Sequence, residues 1–177
     1  MQAITAEPRT SIGTAVDPFE RLFRREYARV VAIANRVLAD PEEAEDVAQE
    51  VFADLHRLHR PDAPYAAAWL HRAAVHAALN SVRSRQRRAR RETAYVRDNP
   101  APDDPAETAV KNAERTMVRR ALGRLPRRSA EVLALRYGGL SYAEVAGALG
   151  VGVNSVGTML KRAEVRLRRE VESVASE

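Results

Sequence analysis

The 177-residue sequence contains no cysteine, a single tryptophan, and aromatic residues at only 5% of positions. The absence of cysteine excludes disulfides, thiolate metal sites and cysteine nucleophiles. Because aromatic residues are scarce, several small helical cores built from alanine and leucine are favoured over one large sheet-based core. No apolar run approaches the roughly 20 residues that a membrane-spanning helix needs. We therefore expect no membrane insertion and a cytoplasmic protein.

Charge is abundant and slightly unbalanced toward the positive sign. The chain has 29 lysines and arginines against 24 acidic residues, a formal net charge of +5. This balance favours contact with a polyanion such as DNA. The distribution of the charges along the chain indicates the partner better than the net charge does. The length allows one mid-sized domain or two small ones.

Apolar residues recur at helical spacing almost everywhere, while strand patterns are scarce. The pattern predicts an all-α protein made of two small helical modules joined by a flexible linker. We expect a disordered leader over residues 1–16, a first module over 17–91, an acidic and proline-rich linker over 92–112, and a second module over 113–172. Asp40 followed by Pro41 is a strong signal for a new helix inside the first module.

The second predicted helix carries an acidic face. Asp46, Gln49, Glu50 and Ala53 follow one another at i, i+3, i+4 and i+7, and therefore share one side of the helix. A solvated helix face is one interpretation, since exposed charged faces are common. The alternative is a docking surface for a basic protein partner, whose encounter the charge would orient.

The third predicted helix carries positive charge, in contrast to the acidic second helix. Tyr65 and Trp69 lie at its start and an arginine-rich run, residues 83–91, lies at its end. Aromatic side chains stack on unpaired bases and arginines follow the sugar-phosphate backbone, so the pattern suits a grip on partly opened DNA. Core packing of Trp69 and a solvated, frayed arginine tail are the alternatives.

The C-terminal part has the pattern of a helix-turn-helix whose second helix continues as a basic helix. Gly150 is expected to end the first helix, Val151 and Val153 to wedge the turn, and Asn154 or Ser155 to cap the second helix. A helix presented in this way fits the DNA major groove, with its N-terminal residues nearest the base edges.

Catalysis and metal binding receive no support. The four histidines (His56, His59, His71 and His76) have no acidic ligand obviously placed to complete a metal site. No nucleophile-elbow, phosphate-loop or paired-carboxylate signature is present. We expect no enzyme activity, no metal and no cofactor.

Together these elements resemble a known family. The run Asp46 to Phe52, then Trp69 and Leu70, then the arginine-rich run and the terminal helix-turn-helix are similar to a bacterial sigma factor of the extracytoplasmic-function type. Such factors belong to the sigma-70 family and keep only its second and fourth conserved regions. The resemblance covers about residues 19–91 and 114–169.

The resemblance implies partners and sites. The partners are core RNA polymerase (its β′ coiled coil and β flap), promoter DNA and an anti-sigma factor inserted between the modules, and the free protein is expected to be a monomer. It implies polymerase binding by Asp46, Gln49, Glu50 and Ala53. It implies −10 element contacts by Tyr65, Trp69, His76, Asn80, Arg83, Arg85, Arg87 and Arg88, and −35 element contacts by Tyr142, Asn154, Ser155, Thr158, Lys161 and Arg162.

Four positions depart from the family pattern. His76 stands where asparagine is common and Asn80 where aspartate is common. Gly157 and Met159 stand where basic residues are frequent, so we expect weak −35 binding that relies on tethering by polymerase. The sequence also allows two other functions. One is a conventional regulator that binds operators by itself as a dimer, and the other is a sigma-like interaction module that no longer reads DNA.

Overall fold

The computed structural model describes residues 17–93 and 106–176, and within these ranges every regular element is a helix. The predicted all-α class is confirmed. The predicted leader lies outside the described residues, as do residues 94–105 of the predicted linker. In chain order the helices are α1 (Pro18–Leu38), α2 (Pro41–Leu58), α3 (Ala66–Thr93), α4 (Ala106–Arg124), α5 (Arg127–Tyr137), α6 (Tyr142–Leu149) and α7 (Val153–Ala175).

A tight turn joins α1 to α2. Ala39 adopts the left-handed conformation, with φ at 51°, and its amide donates to the carbonyl of Asn35. Asp40 is extended, and its carboxylate accepts a hydrogen bond from the amide of Glu43 at 3.2 Å. Pro41 supplies the first helical position, where its missing N–H is not needed. The predicted start of the second helix is confirmed.

The first three helices enclose an apolar core. α2 buries Ala44, Val47, Ala48, Val51, Phe52 and Leu55, which recur at helical spacing along one side. At one end of this core, four aromatic rings gather. Phe23 lies 4.9 Å from Phe52 and 4.7 Å from Tyr27, centroid to centroid, and Phe19 lies at their edge. Aromatic pairs at these separations add to the stabilisation from burial.

The arginine-rich run is helical. α3 continues without a break from Ala66 to Thr93, so the arginines project from an extension of the same helix that packs on the first core. Its apolar side buries Leu70, Val75, Leu79 and Val82. The arginines are therefore held in fixed directions relative to α1 and α2.

The second half contains the predicted helix-turn-helix, formed by α6 and α7. Gly150 ends α6 with φ at 64°, as expected. Two local predictions are wrong. Gly152, not Asn154 or Ser155, occupies the N-cap of α7, because the helix already begins at Val153. Since Val153 lies on the first turn, it points outward and is 48% exposed, and only Val151 packs against the core.

The two halves pack against each other. α3 contacts α4, α5 and α6, and α1 contacts α5, so that buried residues of both halves form one continuous core. Among the described residues no single helix is long and apolar enough to cross a membrane, although the bent pair α6 and α7 meets a criterion of length and composition alone.

Ser141 and Glu144 form a capping box at the start of α6. The hydroxyl of Ser141 accepts from the amide of Glu144, and the Glu144 carboxylate accepts from the Ser141 amide at 2.8 Å. We expect Ser141→Ala to lower the free energy of unfolding by about 1 kcal/mol, because the amide of Glu144 loses its partner. Urea unfolding measures the loss. Ser173→Ala, on the exposed side of α7, is the control and should change stability little; equal effects would contradict the assignment.

Candidate nucleic-acid and protein interfaces

The acidic face of α2 is fully presented to solvent. Asp46, Gln49, Glu50 and Ala53 are all exposed, while Val47 lies buried directly beneath them. The helix holds these side chains on one side because the opposite side is locked into the core. The structure therefore brings the four predicted residues together as one surface.

A groove runs between α2 and α3 beside this face, with a volume of about 750 Å³. Its α2 wall is acidic and its α3 wall carries aromatic, basic and amide side chains. The lining side chains with polar or aromatic groups are Glu43, Asp46, Glu50, Asp54, Trp69, Arg72, His76, Asn80 and Ser81. The predicted polymerase face and part of the predicted −10 face are thus neighbours.

Trp69 is neither a core residue nor a fully exposed platform. It is half-buried, and its ring lies 4.3 Å from the ring of His59, centroid to centroid. Tyr65, one turn earlier, is 51% exposed and its ring lies 6.0 Å from the same histidine. The three rings form an aromatic cluster at the start of α3, and Trp69 of this cluster also lines the groove.

Arg72 belongs to this wall and was not among the predicted contacts. It is exposed and lies between Trp69 and His76 at i+3 and i−4, on the same side of α3. The helical spacing contains the signal that identifies it: residues 69, 72, 76 and 80 form one stripe.

The predicted arginine contacts divide into two groups. Arg87 and Arg88 are exposed. Arg83 and Arg85 are occupied within the protein: Arg83 donates to the carbonyls of Gly123 and Leu125 at 3.2 and 3.1 Å, and Arg85 pairs with Glu43 at 2.7 Å. The arginine-rich run therefore contributes both to the surface and to the packing of the two halves.

His76 is bound to the second half of the protein. Its Nε2 lies 2.5 Å from Oε1 of Glu131, and Nη2 of Arg127 lies 2.8 Å from Nδ1 and 2.7 Å from Nε2. Burial lowers the pKa of His76 most, and Arg127 adds to this, against the opposing effect of Glu131. Asn80, one turn further along, is exposed.

The predicted DNA-reading residues of α7 are free. Asn154, Ser155, Thr158, Lys161 and Arg162 are all exposed on one side of the helix, and the opposite side packs into the core. Tyr142 of α6 stands beside this row at 41% exposure, with the Arg136 guanidinium carbon 5.6 Å from its ring centroid. A methyl group at Gly157 would meet the Tyr142 ring at 3.6 Å, an ordinary contact.

A second histidine–carboxylate pair lies inside the first half. Nε2 of His71 lies 2.9 Å from Oε2 of Glu26, and the side chains are 3% and 4% exposed. Burial lowers the pKa of His71 despite the hydrogen bond to Glu26. Burial raises the pKa of Glu26, but hydrogen bonds from Arg25 and His71 outweigh it and bring the value below its usual range. No group of three or more potential metal ligands occurs in the described part of the chain.

These features define a class: a helical DNA-binding protein with a helix-turn-helix in one half and an acidic docking face beside an aromatic and basic helix in the other. The sequence matches two family profiles in the same order, Sigma-70 region 2 over residues 22–88 and Sigma-70, region 4 over residues 115–167.

Comparison with known proteins gives the same assignment. The chain is 35% identical over 158 residues to the ECF RNA polymerase sigma factor SigM of Mycobacterium tuberculosis, covering 85% of this chain and 76% of that protein. It is 30% identical over 158 residues to SigK of Mycobacterium ulcerans, covering 86% and 84%. The chain belongs to the ECF RNA polymerase sigma factors of the sigma-70 family, which act in promoter-specific transcription initiation.

A solved structure shares the fold. CnrH, determined in complex with the cytosolic domain of CnrY, superimposes with a TM-score of 0.52 and 24% sequence identity, over 88% of each chain. This similarity supports the two-part helical architecture.

The buried pair of His71 and Glu26 makes stability depend on pH. Because the pKa of His71 lies below its ordinary value of 6.5, the unfolded chain binds a proton before the folded chain does as the pH falls through 6.5. The melting temperature should therefore fall between pH 7 and about pH 5. His71→Gln, which keeps a donor to Glu26, should make this dependence shallower without abolishing it, because the pKa of His76 is lowered as well. His56→Gln, on the exposed side of α2, is the control. A slope unchanged by His71→Gln would contradict this origin.

Proposed function

We propose that this sigma factor docks on core RNA polymerase through the acidic face of α2, opens the −10 element with α3 and reads the −35 element with α7. The observation that supports this most directly is the groove between α2 and α3, where an acidic wall and an aromatic, basic wall stand side by side. Transcription of fragmented genomic DNA from the source organism by core polymerase, with and without the protein, tests it. New transcript starts that share upstream sequence are expected; their absence would contradict the proposal.

Docking through α2 follows from charge and rigidity. Asp46 and Glu50 would repel DNA phosphates, so the face suits a basic protein surface such as the β′ coiled coil of polymerase. Gln49 adds a side chain that both donates and accepts hydrogen bonds. Since Val47 and Val51 anchor the helix from below, the face meets its partner without reordering.

Opening of the −10 element requires surfaces that prefer unpaired bases. Tyr65 and Trp69 offer ring faces, and base stacking on an aromatic ring contributes about 1–3 kcal/mol for each base. Arg72, Arg87 and Arg88 supply positive charge along the same helix for the displaced backbone. The mechanism is binding and strand separation rather than covalent chemistry.

Reading of the −35 element falls to the exposed row of α7. Asn154 and Ser155 lie on its first turn, where major-groove readers contact base edges. Lys161 and Arg162 lie two turns further on and suit phosphate contacts. Each module binds weakly alone, and tethering on one polymerase raises the effective concentration of each for its own element.

The remaining parts of the proposal concern location and control. The proposal includes a cytoplasmic location, because core polymerase and promoter DNA are the partners that it names. CnrH, which shares the fold, was solved with the cytosolic domain of CnrY. By analogy we include a protein regulator, an anti-sigma factor, among the partners of this chain.

Substitutions on the exposed face of α2 should weaken polymerase binding without unfolding the protein. We expect Asp46→Ala with Gln49→Ala to weaken binding to core polymerase at least about tenfold, or ~1.4 kcal/mol, because an oriented charge and a hydrogen-bonding group are lost. Fluorescence anisotropy of the labelled protein measures it. Glu20→Ala removes one exposed carboxylate from α1 and should leave binding unchanged. Comparable losses in both variants would show that only net charge matters.

Phosphate contacts by α7 should appear in the salt dependence of promoter binding. For Arg162→Ala in the holoenzyme, the slope of log affinity against log salt should become shallower by about 0.9, the value for one phosphate contact. Gly157→Arg should steepen it by a similar amount, since a Cβ atom at this position meets only the Tyr142 ring, at 3.6 Å, and the added charge lies among the exposed residues of α7. Arg115→Ala, exposed on α4, is the control. An unaltered slope in both α7 variants would exclude these contacts.

A further inference from the structure

The turn between α6 and α7 has little that fixes its own shape. Only Gly150, Val151 and Gly152 separate the two helices, and two of the three are glycines, the residues with the greatest conformational freedom. Gly150 is in the left-handed conformation, and a Cβ atom there would meet nothing within 4 Å. The two helices nevertheless meet at 90°. Contacts outside the turn therefore have to hold this angle.

Apolar packing supplies part of the hold. Val145 and Leu149 of α6 and Val156 and Leu160 of α7 are buried in the common core. Burial of apolar surface is non-directional, however, and α6 has only eight residues with which to make such contacts. Hydrogen bonds depend on angle as well as distance, so they add an orientation that burial alone does not specify.

Arg128, on the first turn of α5, binds the end of α6. Its Nη2 donates to the carbonyl oxygen of Leu149 at 2.9 Å, and its Nη1 lies 3.5 Å from Oε2 of Glu131. Leu149 is the last residue of α6, where carbonyls have no intrahelical partner and the helix dipole favours a cation. Because Glu131 is 2% exposed and held in the core, it orients the guanidinium from the opposite side.

Ser129, the next residue of α5, binds α7. Its hydroxyl oxygen accepts a hydrogen bond from Nη1 of Arg166 at 3.2 Å, and the residue is 8% exposed. Its own amide donates to the carbonyl of Pro126 at 2.9 Å, which fixes the first turn of α5. Two neighbouring residues of one helical turn therefore bind both arms of the helix-turn-helix.

The angle between the two arms matters for the proposed reading of DNA. The exposed row on α7 from Asn154 to Arg162 is about 12 Å long, and Tyr142 stands at the start of α6. A tilt of roughly 10° between the helices would displace one end of this row by about 2 Å relative to Tyr142, more than a hydrogen bond tolerates. Base contacts by both helices therefore require a fixed angle.

We propose that Arg128 and Ser129 are positioning residues for recognition of the −35 element: from the first turn of α5 they set the orientation of α7 relative to α6, and they act without contacting DNA themselves. The inference rests on the proposed reading of the −35 element by α7. It assigns part of the discrimination between promoters to residues outside the helix-turn-helix.

Holoenzyme binding to two DNA fragments tests the proposal. One fragment carries a promoter from the transcription experiment, and the other has the same −10 element with a scrambled −35 element. In full-length Arg128→Met, Ser129→Ala, the ratio of the two affinities should fall at least about fivefold. Affinity for the scrambled fragment and the slope of log affinity against log salt should not change, because no phosphate contact is lost.

The matched control is Arg115→Met, Ser173→Ala, which removes the same groups from exposed positions of α4 and α7 and should keep the full ratio. An unchanged ratio in the α5 variant would overturn the proposal. So would a slope shallower by about 0.9, since Arg128 would then be a phosphate contact.

A conservative variant separates the hydrogen bond from the bulk of the side chain. Arg128→Lys keeps a cation that can bind the carbonyl of Leu149, and it should retain most of the discrimination. Equal losses in Arg128→Lys and Arg128→Met would overturn the role of this hydrogen bond. Circular dichroism confirms that each variant has the helix content of the wild type.

The orientation itself can be measured without DNA. The chain has no cysteine, so Gly147→Cys on α6 and Glu172→Cys on α7 provide two unique sites for spin labels. A Cβ atom at Gly147 meets nothing within 4 Å, and Glu172 is exposed. Double electron–electron resonance on the full-length protein should give a narrow distance distribution, and Arg128→Met with Ser129→Ala should broaden or shift it.

An unchanged distribution would overturn the proposal. If the wild-type holoenzyme did not discriminate between the two fragments, the proposed reading of the −35 element by α7 would fail. The distance measurement would then still report whether Arg128 and Ser129 fix the angle between α6 and α7.

Discussion

The packing of α3 is the constraint on which the rest of the structure depends. One side of this 28-residue helix packs against α1 and α2, and its other contacts are with α4, α5 and α6. The single helix α3 therefore packs against both halves of the protein. Its apolar residues, from Leu70 to Val82, anchor the first core, while its polar residues decide how the second half approaches.

Buried carboxylates refine this packing. Glu26 in the first half and Glu131 in the second each face a histidine of α3, His71 and His76 respectively. Ionised carboxylates in an apolar interior require partners, and here each has arginines of its own helix and one histidine of α3. The two pairs favour one rotation of α3 about its axis, because a turn of the helix would remove the histidine partner of each carboxylate.

The division of α3 has a functional consequence. The groove shared with α2 leaves Trp69, Arg72 and Asn80 accessible beside the acidic face. Further along the helix, Arg83 and Gln86 donate hydrogen bonds to carbonyls of α4. Side chains of one helix therefore both line the groove and bind the second half.

Much of the local structure follows from the sequence alone. Asp40 with Pro41, Gly150, and the apolar period of α2 predict helix ends and buried faces correctly, since caps and helical spacing act over three or four residues. The same locality explains why the exposed rows at Asp46 and Asn154 could be identified. The predicted N-cap of α7 was wrong because Gly152, two residues earlier than Asn154, already provides the extended backbone that the start of a helix needs.

Only the tertiary structure decided which of the predicted DNA contacts are free. His76 meets Glu131 across 55 positions and Arg29 meets Glu144 across 115. No periodicity connects residues that far apart, because their contact depends on how whole helices settle against one another. The sequence by itself determined the local preferences of the described helices and the exposed faces that these helices carry. The packing of the two halves determined that α7 stands open while part of α3 is held, since burial and charge pairing are settled only when the core is assembled.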